Sequence, residues 1–257
     1  MPKLPEGESV RKTMYTTSTY NDPHVMPSSI RERYEFLEAS SACAVMQAVC
    51  PGEWADILSV LDTYTLDPAT WMKPGRNRGD VSKEIDSLFA KRDWHERRLD
   101  IEIYGYLVDR KGARLHAFEP LFQEGYLVDN FKGRIAVDVE WNAKDGNLDR
   151  DMTAYRTWHE AGVLTAGVII TKHQQSLKSL VHRLWSEWNE TLQVDDRIAK
   201  LPIDMETSTT TNFEKAGLRV RRGVMGTCPL LVVGLSEKSW NGEPYRTPSF
   251  GGSPSGA

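Results

Sequence analysis

The sequence lacks the clustered cysteines and histidines that hold a structural zinc ion. It has three cysteines without a C-x-x-C pair, and it contains no H-x-H or H-E-x-x-H pattern. A zinc-centred fold is therefore not expected. We expect Cys43, Cys50 and Cys228 to be buried thiols in a reducing compartment.

Long apolar runs are also missing. No stretch approaches the roughly 18 residues that cross a bilayer, and the first residues, MPKLPEGESVRKT, contain no apolar signal core. We therefore expect a cytoplasmic protein that makes no contact with membranes.

The chain has no excess of basic residues. It contains 32 Lys and Arg against 36 Asp and Glu, which gives a formal net charge of -4. This balance argues against a surface coated in positive charge for loose nucleic-acid binding, although it is compatible with a local basic cleft. Hydrophobic residues make up 40 % of the 257 residues, which is enough for a sizeable core.

Hydrophobic periodicity predicts helices first and a sheet afterwards. Helices are expected at residues 30–50, 53–62, 80–91, 149–161 and 174–190, and strands at 100–108, 124–130, 134–140, 163–171 and 229–235. This order predicts an α/β fold in which helices flank a central mixed β-sheet, with a helical segment at the N-terminal side.

Composition divides the chain into three parts. Residues 1–29 are polar and proline-containing and are expected to form an irregular arm. Residues 30–240 are expected to form one domain, with a helical part at 30–92 and a sheet-containing core at 98–240. Residues 241–257 are rich in Gly, Pro and Ser, which predicts a flexible tail.

The predicted strand at residues 134–140 carries two carboxylates on one face. Asp138 and Glu140 are two positions apart, so their side chains point the same way, whereas Val137 and Val139 point to the opposite, apolar side. Two like charges at this range repel each other, and a cation between them removes that penalty. Sites lined by carboxylate oxygens suit Mg²⁺, which also binds phosphate.

A third carboxylate is expected beside these two. Asp129 lies nine residues before Asp138, just before a predicted turn at residues 130–133 that would return the chain to the next strand. Three converging carboxylates on one metal ion suit phosphodiester cleavage, because the metal polarises the phosphate and activates a water molecule. The alternative is that these acids form only the solvated face of a strand.

The segment around these acids, VDNFKGRIAVDVEWNAKDGNLDRDMTAYRTWHEAGVLTAGVIIT, resembles the BglII/BamHI-like branch of the type II restriction endonucleases, within the PD-(D/E)xK nuclease superfamily. In that family an Asp precedes a turn, an E-x-Q or E-x-E strand follows, and a helix then packs beside a buried strand. The resemblance is most specific over residues 127–171 and weaker over 30–92 and 207–235.

This resemblance implies roles for individual residues. Asp129 matches the central metal-ligand Asp, Asp138 the first carboxylate of the strand motif, and Glu140 its second position, so that Asp129 and Asp138 would bind Mg²⁺, or Mn²⁺ as a substitute. Two departures are that Asp138 is one methylene shorter than the usual Glu and that no Lys stands at Glu140, where this branch has Gln or Glu. Glu84 is the candidate for the helical acid near the metal.

Several further residues are candidates for DNA contact: Asn142, Arg150, Thr210, Asn212, Lys215, Arg219, Arg221 and Arg222, with a second basic cluster at Lys73, Arg76 and Arg78. Arg219 and Arg221 are expected on one face of an extended segment, where arginine can read guanine and Asn can read adenine. The alternatives are a turn residue for Asn142, a partner of the acids for Arg150, and solvated loops for the others.

The implied activity is cleavage of double-stranded DNA at a short, palindromic site. A palindrome requires two-fold symmetry, so we expect a homodimer in which helices of residues 30–62 or 149–161 contribute to the contact. A cognate DNA methyltransferase encoded nearby is a possible partner. The alternatives are a related nuclease in DNA repair or phage defence, and a non-catalytic DNA-binding domain.

Overall fold

The computed structural model describes residues 15–72, 79–198, 201 and 209–246. Its helices are α1 (Ser28–Arg31), α2 (Ala42–Val49), α3 (Pro51–Thr63), α4 (Pro68–Trp71), α5 (Asp80–Ala90), α6 (Asn147–Glu160), α7 (Gln174–Glu190) and α8 (Phe213–Arg222). Its strands are β1 (Thr16–Thr17), β2 (Tyr34–Ala39), β3 (His95–Arg98), β4 (Ile101–Ile103), β5 (Tyr106–Val108), β6 (Arg114–Ala117), β7 (Leu121–Gln123), β8 (Leu127–Lys132), β9 (Ile135–Glu140), β10 (Ala166–Lys172) and β11 (Leu230–Leu235).

A seven-stranded mixed sheet forms the centre of the molecule, in the order β1-β2-β11-β10-β9-β8-β3. The three central strands, β9, β10 and β11, are parallel to one another, while β2 and β8 flank them in antiparallel orientation. The central strands are buried along their whole length, which explains why β10 and β11 are nearly continuous apolar runs. The predicted α/β fold with a mixed sheet is confirmed.

Helices cover both faces of this sheet. On one face, α2, α3, α5 and α7 pack against side chains such as Val137, Val139 and Ile170. On the other face, α6 and α8 pack against Ala136, Ile169 and their neighbours. Successive residues of a strand therefore enter different cores, as the alternation along residues 134–140 predicts.

The predicted helix at residues 30–50 is wrong in its middle. Residues Tyr34–Ala39 form β2, which pairs antiparallel with β11, and the chain then turns through Ser40 and Ser41 at φ 53° and 54° before α2 begins. The apolar spacing of this segment fits a helix locally, but hydrogen bonding to a buried strand determines its structure.

The predicted strand at residues 100–108 is two short strands in a projecting hairpin. Here β4 pairs with β7 and β5 pairs with β6, and the N–H of Phe118 donates to the carbonyl of Gly105 between the two pairs. We call this hairpin, residues 101–123, the ribbon. It connects β3 to β8 at the edge of the central sheet.

The described ends of the chain belong to the fold. Thr16–Thr17 form a strand and Met26 is fully buried, although an irregular arm is expected at residues 1–29. Tyr245 is buried against Trp188, so the expected flexible tail does not begin at residue 241. Residues 1–14 and 247–257, and the basic cluster Lys73, Arg76 and Arg78, lie outside the described residues.

Within the described ranges, no helix is both long enough and apolar enough to cross a membrane.

Candidate active site

Asp129 and Asp138 lie side by side where β8 and β9 separate. Pairing of the two strands runs from Lys132 to Asn130 on β8. Beyond it, the N–H of Asp129 donates to Asp138 Oδ1 at 2.9 Å, and the N–H of Val139 donates to Asp129 Oδ2 at 3.1 Å. Each carboxylate therefore accepts a hydrogen bond from a backbone N–H that lies beyond the paired part of the two strands, and this fixes both side chains.

A tight hairpin sets this register. The expected turn at residues 130–133 is shorter in the structure, because β8 continues to Lys132 and β9 begins at Ile135. Gly133 has a φ of 55°, which glycine adopts without strain. Hairpins with two-residue loops have a fixed register, so the short turn ensures that Asp129 is opposite Asp138.

Asp138 is buried beneath the site, with 1 % of its surface exposed. The Tyr155 hydroxyl of α6 donates to Asp138 Oδ2 at 2.5 Å. Burial, and then the nearby charges of Asp151 and Asp129, raise the pKa of Asp138 well above its usual range. Asp138 therefore links the backbone of Asp129 to Tyr155 of α6 through hydrogen bonds.

Glu140 lies on the same face of β9 and meets a fourth acid, Asp151 of α6. The two side chains are 4 % and 2 % exposed. Burial raises the pKa of Glu140 to about 7, assisted by Asp138 and Asp129, and burial together with Glu140 raises the pKa of Asp151 to about 8. The Glu140–Asp151 pair therefore retains protons near neutral pH.

Arg150 provides the positive charge next to this pair. Its guanidinium lies 2.7 Å from Asp151 Oδ1 and 3.7 Å from Glu140 Oε1. Glu140 Oε2 and Asp151 Oδ2 are buried and accept no hydrogen bond from any other residue, and the two carboxyl groups bond to each other through a shared proton. Loss of that proton would leave buried carboxylate oxygens unpaired, which is costly, so the pair is then suited to accept a further donor or a cation.

A cleft of about 600 Å³ opens above the acids. Its acidic part is formed by Asp129, Glu140, Asp86 and Glu96, whereas Asp138 is not among its lining residues. Lysines, asparagines and an arginine complete the polar lining: Lys83, Lys144, Asn142, Asn147 and Arg150. The cleft thus combines carboxylates at its floor with groups that can bind phosphate.

Helix α5 contributes Asp86 to this cleft, whereas the predicted residue Glu84 lies elsewhere. Asp86 accepts a hydrogen bond from Asn130 Nδ2 at 2.7 Å. Glu84 is exposed, accepts from the Thr70 hydroxyl at 3.0 Å and lines a separate depression beside Tyr64. Positions two apart on a helix point to nearly opposite sides, so the structure does not bring Glu84 to the other acids.

Asn142 and Thr210 meet at the end of β9. Lys172 Nζ donates to Thr210 Oγ1 at 2.8 Å and to Asn142 Oδ1 at 3.3 Å. The Thr211 hydroxyl donates to the carbonyl of Glu140 at 2.9 Å. The segment around Thr210 therefore borders the cleft, as a DNA contact there requires, and Lys172 is an additional cation beside it.

The basic residues near position 219 lie on helix α8 and not on an extended segment. Asn212 caps this helix by accepting from the N–H of Lys215 at 2.8 Å. Arg219 forms ion pairs with Asp149 at 2.7 Å and Asp145 at 3.1 Å, and Lys215 lies 3.5 Å from Asp145.

The helical geometry also separates the arginines of this segment. Arg219 and Arg221 do not share a face, because two positions on a helix correspond to about 200°. Arg221 and Arg222 are exposed near the end of α8. Of the predicted contacts on this helix, they are the two whose side chains are most available to a ligand.

Asp151, Tyr155, Asp86 and Lys172 are site residues that the sequence analysis did not identify. A signal for Asp151 exists, because Leu148, Asp151, Met152 and Tyr155 follow the spacing of a buried helical stripe. An acid in such a stripe needs a polar partner inside the protein. No comparable pattern marks Lys172, whose surrounding strand is apolar on both sides.

The donor set suits a hard divalent cation, but it is not arranged as a finished metal centre. Across the described ranges, no group of three or more His, Cys, Asp or Glu side chains is positioned to hold a metal ion. Mg²⁺ binds through one or two carboxylates with water and substrate phosphate completing its shell. Asp129 and Glu140, which line the cleft, meet that smaller requirement.

The mixed sheet, with helices on both faces and acids where two adjacent strands separate, defines a restriction-endonuclease-like fold. The family model described as "Restriction endonuclease BglII/BglIII" matches residues 34–235, which is most of the chain. The protein therefore belongs to the BglII/BglIII restriction endonuclease family. No match was found among the curated proteins.

Proposed function

We propose that this protein is a Mg²⁺-dependent type II endonuclease that hydrolyses phosphodiester bonds of double-stranded DNA at a short, palindromic site. The observation that carries the proposal is the placement of Asp129 and Glu140 on the floor of a polar cleft, with Asp138 buried beneath them, where β8 and β9 separate. Membership of a restriction endonuclease family supports DNA as the substrate.

Asp129 and Glu140 are the proposed ligands at the cleft surface, with Mn²⁺ as a possible substitute for Mg²⁺. The chemistry that a bound divalent ion supplies is polarisation of the scissile phosphate and a lower pKa of the attacking water. Asp138, the other ligand expected from the sequence, lies beneath them with its two oxygens bonded to the Asp129 N–H and the Tyr155 hydroxyl. We therefore assign Asp138 first to holding Asp129 in position.

The basic and amide groups around the acids are the proposed DNA contacts. Arg150 and Asn142 line the cleft, and Thr210 borders it through Lys172. Arg221 and Arg222 would reach DNA further from the acids. For Asn212, Lys215 and Arg219, a direct DNA contact requires exchange of the protein partners they have in this structure.

Cutting both strands of a palindrome requires two active centres, so the proposal includes a homodimer. A DNA methyltransferase encoded next to this protein would indicate a restriction–modification system. Its absence would favour a nuclease of the same chemistry in another defence or repair process.

Metal dependence gives a direct test of the proposed function. We expect plasmid cleavage with Mg²⁺ or Mn²⁺ and little cleavage with Ca²⁺. The reason is that Ca²⁺ prefers more oxygen ligands and longer bonds, and the site offers two carboxylates. The measurement is conversion of supercoiled plasmid to nicked and linear forms. Full cleavage in excess EDTA would contradict the proposal.

Asp86 and Glu84, both on α5, provide a matched pair of variants. We expect Asp86→Asn to reduce the rate of cleavage by roughly 10–100-fold, because residues that position the ligands of a metal site have effects of this size. Glu84→Asn should leave the rate within about twofold, since Glu84 lies outside the cleft. Equal losses in the two variants under identical conditions would show that this assignment is wrong.

A further inference from the structure

The ribbon of residues 101–123 is an exposed structure with an unusually apolar surface. None of residues 101–127 is buried, although the segment forms two strand pairs. Two-stranded hairpins are marginally stable in water without packing on one face. A ribbon of this kind therefore gains stability when something covers it.

Large apolar side chains are concentrated here. Of the sixteen that are exposed in the described ranges, eleven lie between residues 103 and 127. Leu121, Leu115 and Phe122 are the most exposed of the eleven, at 67 %, 63 % and 62 %. The eleven are Ile103, Tyr104, Tyr106, Leu107, Val108, Leu115, Phe118, Leu121, Phe122, Tyr126 and Leu127. Apolar patches of more than a few hundred Å² are rare on monomers and mark interaction sites.

The charge of the ribbon argues against DNA as its partner. The ribbon contains three acidic side chains, Glu102, Asp109 and Glu119, and three basic ones, Arg110, Lys111 and Arg114, so that its net charge is zero. An element without net positive charge gains little from contact with phosphate, since affinity for DNA depends on neutralising phosphate with Lys and Arg. A protein surface is therefore the favoured occupant.

The distribution of these charges indicates which protein surface fits. The three basic residues lie with Asp109 at the tip, around the turn at residues 109–113, whereas Glu102 and Glu119 lie towards the root. Two identical ribbons placed antiparallel bring the basic tip of each against the acidic root half of the other. A two-fold contact is self-complementary in this sense, because each copy offers the same patch to its partner.

We propose that the ribbon is the dimerisation surface of this protein and that the ribbons of two copies pack antiparallel about a two-fold axis. The inference deepens the proposed function, since it rests on the homodimer that cleavage of both strands requires. Asp129 follows the ribbon by only six residues on β8, so this contact lies beside the cleft of each copy. It replaces the helices of residues 30–62 and 149–161 as the expected contact.

Sedimentation velocity of the full-length, metal-free protein without DNA tests the surface. The wild type should sediment as a dimer. In the triple variant Leu115→Thr, Leu121→Thr, Phe122→Thr, the dimer dissociation constant should rise on the order of 100-fold or more, because three apolar side chains are removed from the contact. Threonine keeps a high strand propensity, so the ribbon itself should still form. The matched control Val49→Thr, Val194→Thr, Leu218→Thr, at exposed sites elsewhere, should remain dimeric.

A charge-exchange experiment tests the antiparallel arrangement. Arg110→Glu with Lys111→Glu reverses the tip, and Glu102→Lys with Glu119→Lys reverses the root half. Each variant alone should be monomeric, and an equimolar mixture of the two should form heterodimers, because opposite charges then meet at both ends. A parallel arrangement instead predicts that each variant alone dimerises as well as the wild type, because equal charges then face each other in the wild type and in both variants.

A monomeric wild type, with or without duplex DNA, or a dimeric triple Thr variant, would overturn the proposal. Because no step of this assay involves cleavage, it separates the two proposals. Dimerisation through the ribbon in a protein that cuts no DNA would leave this inference standing while the proposed function fails.

Discussion

Asp129→Asn is expected to abolish plasmid cleavage while leaving DNA binding intact. The change keeps an oxygen that can accept from the N–H of Val139, so the separating ends of β8 and β9 stay in place. It removes the negative charge that binds a divalent cation at the cleft. Loss of several kcal/mol of transition-state stabilisation corresponds to a rate decrease on the order of 10³-fold.

Unlike the cleavage rate, the affinity of the variant for DNA should not decrease. A carboxylate next to DNA phosphate repels it, so removal of the charge leaves the affinity unchanged or slightly higher in EDTA. The measurement is a gel-shift titration in EDTA beside plasmid cleavage in Mg²⁺, with Asp129→Ala as a second variant that also removes the acceptor for Val139. Asp62→Asn, an exposed site on α3, is the control. If Asp129→Asn and Asp129→Ala both cut at the wild-type rate, the assignment of the active site fails.

Strand β9 shows how much a local pattern can predict. Its alternation separates Val137 and Val139 from Asp138 and Glu140, and the structure places the two sets against different helical layers. The alternation of successive side chains along a strand is sufficient to predict this separation. The position of Asp129 follows nearly as directly, because a short hairpin leaves few ways to align β8 with β9.

The errors arise where long-range contacts decide the outcome. Tyr34–Ala39 is a strand because β11 lies beside it, more than 190 residues later in the chain, and its own residues do not reveal that partner. Arg219 bonds Asp149 and Asp145 across the molecule, so a residue that resembles a DNA contact is an internal ion pair here. Local patterns do not contain such information.

The positions of some acidic residues at the site likewise depend on contacts that the sequence does not reveal. The sequence analysis names Glu84 as the helical acid, but α5 brings Asp86 and not Glu84 to the cleft beside β8. Asp151 belongs to a helix start in the sequence, where acids commonly complement the helix dipole. In the structure it is inside the protein against Glu140, which changes both its pKa and its expected effect on stability.

Asp151→Asn is expected to stabilise the metal-free protein at alkaline pH. Burial and Glu140 raise the pKa of Asp151 to about 8 in the folded state, compared with about 4 in an unfolded chain. The folded protein therefore holds this proton more tightly. The contribution to stability is complete below the unfolded pKa and is lost progressively as the pH rises towards 8.

Asn at this position stays uncharged at every pH, and its amide can donate to the Glu140 carboxyl group in place of the proton of Asp151. The melting temperature of Asp151→Asn should therefore exceed that of the wild type by about 5 °C at pH 8.5 and approach it at pH 5. The measurement is thermal unfolding in EDTA across that range, with Asp195→Asn at an exposed site as the control. A difference that is constant with pH, or one that grows towards pH 5, would show that Asp151 does not hold its proton as the buried cluster requires.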